Sequence, residues 1–154
     1  MSGIERILVA TDLQLKSAGA VRHGAYLAQQ LDAELLVLHV VTSKDLGDRD
    51  PPKGASERRP DAAVNHAATE LEQHVAAVLE GTPPVPTTMR TAFGDPLGEI
   101  LDVAREENCG YIVLTVESRS RIGKLLLGSH AQQVLLTSEI PVVGVKPDWQ
   151  PPAT

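Results

Sequence analysis

The sequence predicts an α/β fold, an open five-stranded parallel sheet in one domain with helices on both faces, on three observations. Short β-branched or leucine-rich runs alternate with stretches of helical apolar spacing along the chain. The second of these runs, with Leu35-Leu36-Val37-Leu38 at its centre, is apolar without alternation, the pattern of a strand buried on both faces. Aromatic residues make up 3% of a chain that is 42% hydrophobic, so the core is aliphatic, which suits a helix-covered parallel sheet better than a β-sandwich.

The first strand is Ile7-Leu8-Val9-Ala10-Thr11-Asp12, a β-branched run that ends in a carboxylate. Ser17 to Leu31 follows with Val21, Gly24, Ala28 and Leu31 at helical spacing, and Glu34 to Val41 is the central strand. His39 lies in that strand, and with no second histidine at metal-ligand spacing it reads as a core residue with a hydrogen-bond partner. Thr42 to Pro60 is charged and proline-bearing, so residues 43–60 are expected to form a flexible insertion. Asp61 to Glu80 is an amphipathic helix with Val64, Ala67, Leu71, Val75 and Val78 on its buried stripe; His66 and His74 fall off the stripe and read as solvent-facing. Prolines at 83, 84 and 86 end it, and Thr87 to Ala92 is a modest strand. Gly94-Asp95-Pro96 starts the third helix, with Asp95 as cap and Pro96 in the first helical position. Tyr111 to Val116 is the fourth strand and Ser129 to Ser138 the last helix. Pro141 to Pro147 is a strand fenced by prolines, as an edge strand permits. The domain is thus expected over residues 1–147, with a disordered tail at 148–154.

A formal net charge of -6 argues against broad nucleic-acid binding, which needs a basic surface. The one cysteine, Cys109, rules out a disulfide framework within the chain and reads as a small buried apolar residue. No signal peptide is evident, and no run approaches the roughly 20 apolar residues that span a bilayer. A cytoplasmic protein without membrane contact is the expectation.

Chemistry concentrates between Tyr111 and Ala131, where strand, basic loop and helix start follow one another. The first N–H groups of a helix lack internal partners and carry the positive end of its dipole, so Gly128 and Ser129 make a candidate phosphate site. The plain alternative is that Gly128 turns the chain and Ser129 caps a helix. In open parallel sheets, ligands sit beyond the carboxyl ends of the strands where the strand order reverses, and that rule brings Asp12 and residues 115–129 to one crevice. Asp12 and Glu117 would share a magnesium ion only if they face each other there, and Asp12 has a plain alternative as a cap for the following helix. No catalytic residue stands out, and the chain is not expected to be an enzyme.

The run from Ile7 to Asp12 with Ser17 behind it, Leu38-His39-Val40-Val41, Gly94-Asp95-Pro96, Leu125-Leu126-Leu127-Gly128-Ser129 and Pro141-Val142-Val143 together resemble the universal stress protein family, of the adenine-nucleotide α-hydrolase-like fold. The resemblance covers nearly the whole chain. It implies strand order 3-2-1-4-5, a homodimer paired through the last strand from Pro141 to Lys146, and, in one branch, ATP bound with magnesium. Carried over, the nucleotide site comprises Ala10, Thr11, Asp12, Val40, Thr115, Ser118, Arg119, Gly128 and Ser129, with Asp12 and Val40 near the nucleoside.

The chain departs from the ATP-binding branch, which carries Gly, two residues, Gly, nine residues, then Gly-Ser or Gly-Thr. Counting back from Gly128, the first two glycines fall on Thr115 and Ser118, where a Cβ obstructs phosphate approach or a positive φ. Arg119, Arg121 and Lys124 offer replacement charge, although charged loops are ordinarily just solvated. The resemblance therefore favours a dimeric interaction module with an unidentified protein partner and a degenerate nucleotide site, ahead of an ATP-binding, nucleotide-dependent regulator. A nucleotide-adenylating enzyme is the weakest reading, because residues 11–17 contain no glycine for a phosphate loop after the first strand.

Overall fold

A computed structural model describes residues 3–43, 60–117 and 129–153. Residues 44–59 of the expected insertion, and Ser118, Arg119, Arg121, Lys124 and Gly128, lie outside the described residues. Five strands, β1 (Arg6–Ala10), β2 (Glu34–Val41), β3 (Thr87–Phe93), β4 (Tyr111–Thr115) and β5 (Val142–Val145), alternate with α1 (Ala18–Leu31), α2 (Pro60–Val78), α3 (Pro96–Glu106) and α4 (Ser129–Thr137). A short 3-10 turn, Leu15–Ser17, leads into α1. Every strand pair is parallel and the order is β3-β2-β1-β4-β5, as expected, with the proline-flanked β5 at an edge.

Strand alternation divides the core between the two faces. Ile7, Val9, Leu35, Val37 and Val113 point to the side covered by α1 and α2, where they meet Val21, Ala28, Leu71 and Val75. Leu8, Leu36, Leu38, Ile112 and Leu114 point to the other side and meet Ile100, Val103 and Ala104 of α3 and Val134 of α4. Because both faces are covered, β1, β2 and β4 are apolar without a polar face. Gly24 lets α1 approach β1 closely, since a Cβ there would lie 2.2 Å from Val9 Cγ2.

Local signals end and start the helices. Asp32 stops α1 in the left-handed conformation (φ 54°), with its N–H bonded back to the last turn. Asp95 caps α3 by accepting from the Gly98 N–H at 3.1 Å, with Pro96 behind it. Cys109 is buried, and that burial pushes its thiol up to about 11, so it behaves as an apolar residue.

Two expectations are corrected. His66 is exposed and pairs with Glu70 at 2.7 Å, but His74 is half-buried and lies 3.1 Å from the Thr11 hydroxyl. It stands three residues after Leu71 and four before Val78, close enough to the buried stripe to reach the sheet. The tail expected to be disordered is anchored at Trp149. Its indole packs edge-on against His23 at 4.5 Å between ring centres, and its carbonyl accepts from Arg22 Nε at 3.2 Å. Burying an indole offsets the entropy that the surrounding prolines would otherwise leave in the segment.

Candidate functional site

A cleft of about 450 Å³ opens at the carboxyl ends of β1, β2 and β4, between β1 and β4 where the strand order reverses. Leu38, Ile100, Leu114 and Val134 give it an apolar floor, and Asp12, Lys16, His39 and Glu117 a polar wall. Of the residues carried over from the resemblance, Ala10, Thr11, Asp12, Val40 and Thr115 all line it. Ser129 is the first residue of α4, and His130 and Ala131 behind it line the cleft, so the start of that helix borders the space.

The wall is built by the turn after β1. Asp12 Oδ1 accepts from the Gln14 N–H at 2.9 Å and from the Ser17 hydroxyl, and its own N–H donates to Ser17 Oγ at 3.3 Å. Asp12 does not cap a helix, since Ser17 stands at the N-cap of α1 and Gln14 at that of the 3-10 turn, each without a side-chain cap bond; it fastens the turn that leads into α1. Leu13, at φ 68°, takes the strained position in that turn, and its N–H donates to Thr11 Oγ1 at 3.1 Å. Thr11 Oγ1 also shares a 3.1 Å hydrogen bond with His74 Nε2, whose direction follows the imidazole tautomer. The Thr11 carbonyl accepts from His39 Nδ1 at 2.8 Å. One threonine therefore ties β1 to a histidine of β2 and a histidine of α2.

Electrostatics set the protonation of this wall. Burial pushes the Asp12 carboxyl up, but the Ser17 hydroxyl, the Gln14 N–H and the Lys16 charge outweigh it and hold the group below its usual 3.8. Lys16 Nζ lies 3.1 Å from Glu117 Oε1 and 3.3 Å from Asp12 Oδ2. Its hydrogen bond to Glu117 overcomes desolvation and, with the charge of Asp12, holds the ammonium above its usual 10.5. His74 is depressed below 6.5, chiefly by burial, with Asp12 opposing and His39 adding to the effect.

Asp12 and Glu117 do face one crevice, yet an ammonium ion stands between them. Magnesium does not fit there, because Asp12 already accepts from three protein donors, and no group of three or more His, Cys, Asp or Glu among the described residues is placed to hold a metal. The Thr115 hydroxyl, by contrast, is buried with no partner among the described residues, although its residue lines the cleft. Thr115 is regular strand paired with Val145 and is absent from the positive-φ residues, so glycine is not required there for backbone conformation. Close approach is the one remaining reason for a glycine at 115.

Lys16 and His39 belong to the wall although the resemblance did not single them out. Lys16 was legible only as a charge four residues after Asp12, and His39 only as the neighbour of Val40 at the same strand end.

The fold and cleft have counterparts among known proteins. The sequence profile of the universal stress protein family matches residues 3–146. A universal stress protein of Mycolicibacterium smegmatis is 33% identical over 131 residues, covering 83% of this chain and 87% of that protein. A solved universal stress protein in complex with cAMP has the same fold, with a TM-score of 0.69 at 20% identity over 96% of this chain and 100% of the other. The Archaeoglobus fulgidus universal stress protein in complex with dAMP gives 0.67 at 21% identity over 94% and 100%. The profile spans all five strands and four helices, and the sheet order inferred from the resemblance is the order observed. The chain therefore belongs to the universal stress protein family.

Proposed function

We propose that this chain is a non-enzymatic regulatory protein that works as a homodimer, receives the nucleoside part of an adenine nucleotide in the cleft, and holds the phosphates weakly. The observation that carries the reading is the convergence of Ala10, Thr11, Asp12, Val40 and Thr115 on one cleft, with a Thr115 hydroxyl in its wall that has no partner among the described residues. A buried hydroxyl without a partner is unfavourable by about 1–3 kcal/mol, and a ligand that bonds to it recovers that energy. Structural relatives in complex with cAMP and dAMP support an adenine nucleotide as the ligand class. The weak hold on phosphate follows from Thr115 and Ser118 standing where the ATP-binding pattern has glycine. Any magnesium would travel on the nucleotide's phosphates, since the carboxylates of the wall are already engaged.

Native mass spectrometry for co-purified nucleotide, with parallel calorimetric titrations of AMP, cAMP and ATP, tests the reading. AMP and ATP are expected to bind within about tenfold of each other, a difference of about 1.4 kcal/mol. Much tighter ATP binding would overturn the weak phosphate hold and identify an ATP-dependent regulator. Absence of binding by all three would leave an interaction module whose α4 start has a structural role alone.

A further inference from the structure

β1 and β4 are parallel neighbours, with Val9 opposite Val113, so the chain segments leaving them carry Asp12 and Glu117 out of the sheet side by side. Two carboxylates so placed repel each other, and the repulsion is strongest where water is scarce. A divalent cation is the usual way to hold such a pair at the mouth of a nucleotide cleft. Here the 3-10 turn after β1 brings Lys16 back over the cleft and sets its ammonium within 3.3 Å of both. Lys16 is only partly exposed, at 35% of its side chain, and lines the cleft together with both carboxylates.

We propose that Lys16 is the resident cation of this cleft. It occupies the place between Asp12 and Glu117 that a divalent metal would take, and it makes binding of an anionic nucleotide independent of metal. The claim about nucleotide rests on the proposed function above; the claim about the cation position does not. With the ammonium present, the three side chains sum to a charge of -1, and the one Lys16 donor not engaged by Asp12 or Glu117 is left for an anion entering the cleft. With it removed, Asp12 and Glu117 lose the counter-charge they share and present oxygens on two adjacent segments, which suits a hard divalent ion.

The test uses the full chain and its Lys16→Met and Lys16→Arg variants, each checked for folding by circular dichroism. In the first arm, Mn²⁺ alone is titrated and free ion is followed by electron paramagnetic resonance. Wild type and Lys16→Arg are expected to show no saturable uptake, whereas Lys16→Met gains one site that adding Asp12→Asn abolishes. A wild-type site lost on Asp12→Asn, or a Lys16→Met protein that takes up no Mn²⁺, overturns the assignment. In the second arm, AMP is titrated in EDTA and in magnesium. Wild-type affinity is expected to agree within about twofold between buffers, and Lys16→Met to weaken binding in EDTA about tenfold, with rescue by Lys16→Arg. Wild-type binding that requires magnesium overturns metal independence. If wild type binds no AMP in either buffer, the nucleotide reading has failed, and the Mn²⁺ result still decides the place of Lys16.

Discussion

His74 and His23 are half-buried imidazoles that burial holds below the usual 6.5, and both therefore make stability depend on pH. As pH falls, the unfolded chain takes up protons on these groups near 6.5 while the folded chain does not, so their contribution is complete above that value and is lost as pH drops through the lower folded values. The melting temperature is expected to fall between pH 7 and pH 5, and His74→Gln to flatten part of that fall, as thermal melts across the range would record. Asp12 acts further down the scale. Its depressed carboxyl stabilises the fold above about 3.8 and withdraws that support as acid protonates it, so Asp12→Asn should shift acid unfolding monitored by circular dichroism. Residues whose role depends on short-range sequence were legible, Asp95 as a cap among them. His39 was legible as a hydrogen-bonded histidine but not its partner, and the roles of His74 and of the Lys16–Glu117 pair were not legible, because these partners are set by strand register and helix placement: Thr11 lies 28 residues from His39 and 63 from His74.

Secondary elements were legible wherever burial on both faces makes the apolar run continuous, and β2 coincides with the expected Glu34–Val41. Strand ends were less so: β1 stops at Ala10, two residues before the expected Asp12, because the Thr11 and Asp12 side chains divert the backbone into a turn. Five cleft residues were readable through the resemblance, and the strand-end rule alone reached only Asp12 and Thr115 among them; positions 118–128 lie outside the described residues. At this scale two substitutions check the packing. Asp95→Ala should destabilise the chain by about 1 kcal/mol in urea titration, through loss of the bond to the Gly98 N–H. Gly24→Ala should cost about 1–3 kcal/mol, despite alanine's better helix propensity, because the new methyl meets Val9. Adding Val9→Ala should restore part of the loss, since the clash is with that side chain; additive effects would refute the steric account.

For the whole molecule, the sheet leaves two edges, and both carry apolar residues that are not buried, Met89 and Phe93 on β3 and Val142 and Val143 on β5. An uncovered edge is a template for pairing, and it is the family resemblance that assigns the proposed homodimer to β5, from Pro141 to Lys146. Val143→Asp should shift the protein to monomer in multi-angle light scattering, and a wild-type chain that is monomeric across micromolar concentrations would refute the pairing. The anchored tail passes close to that edge and holds the single tryptophan of the chain. Emission from this protein is therefore the signal of one indole, lodged between His23 and Tyr26. An imidazolium quenches a neighbouring indole more strongly than a neutral ring does, so a fluorescence titration reads the proton on His23 without any label. Dimer formation beside the indole would change the colour of the same emission, giving a single optical channel for protonation and assembly.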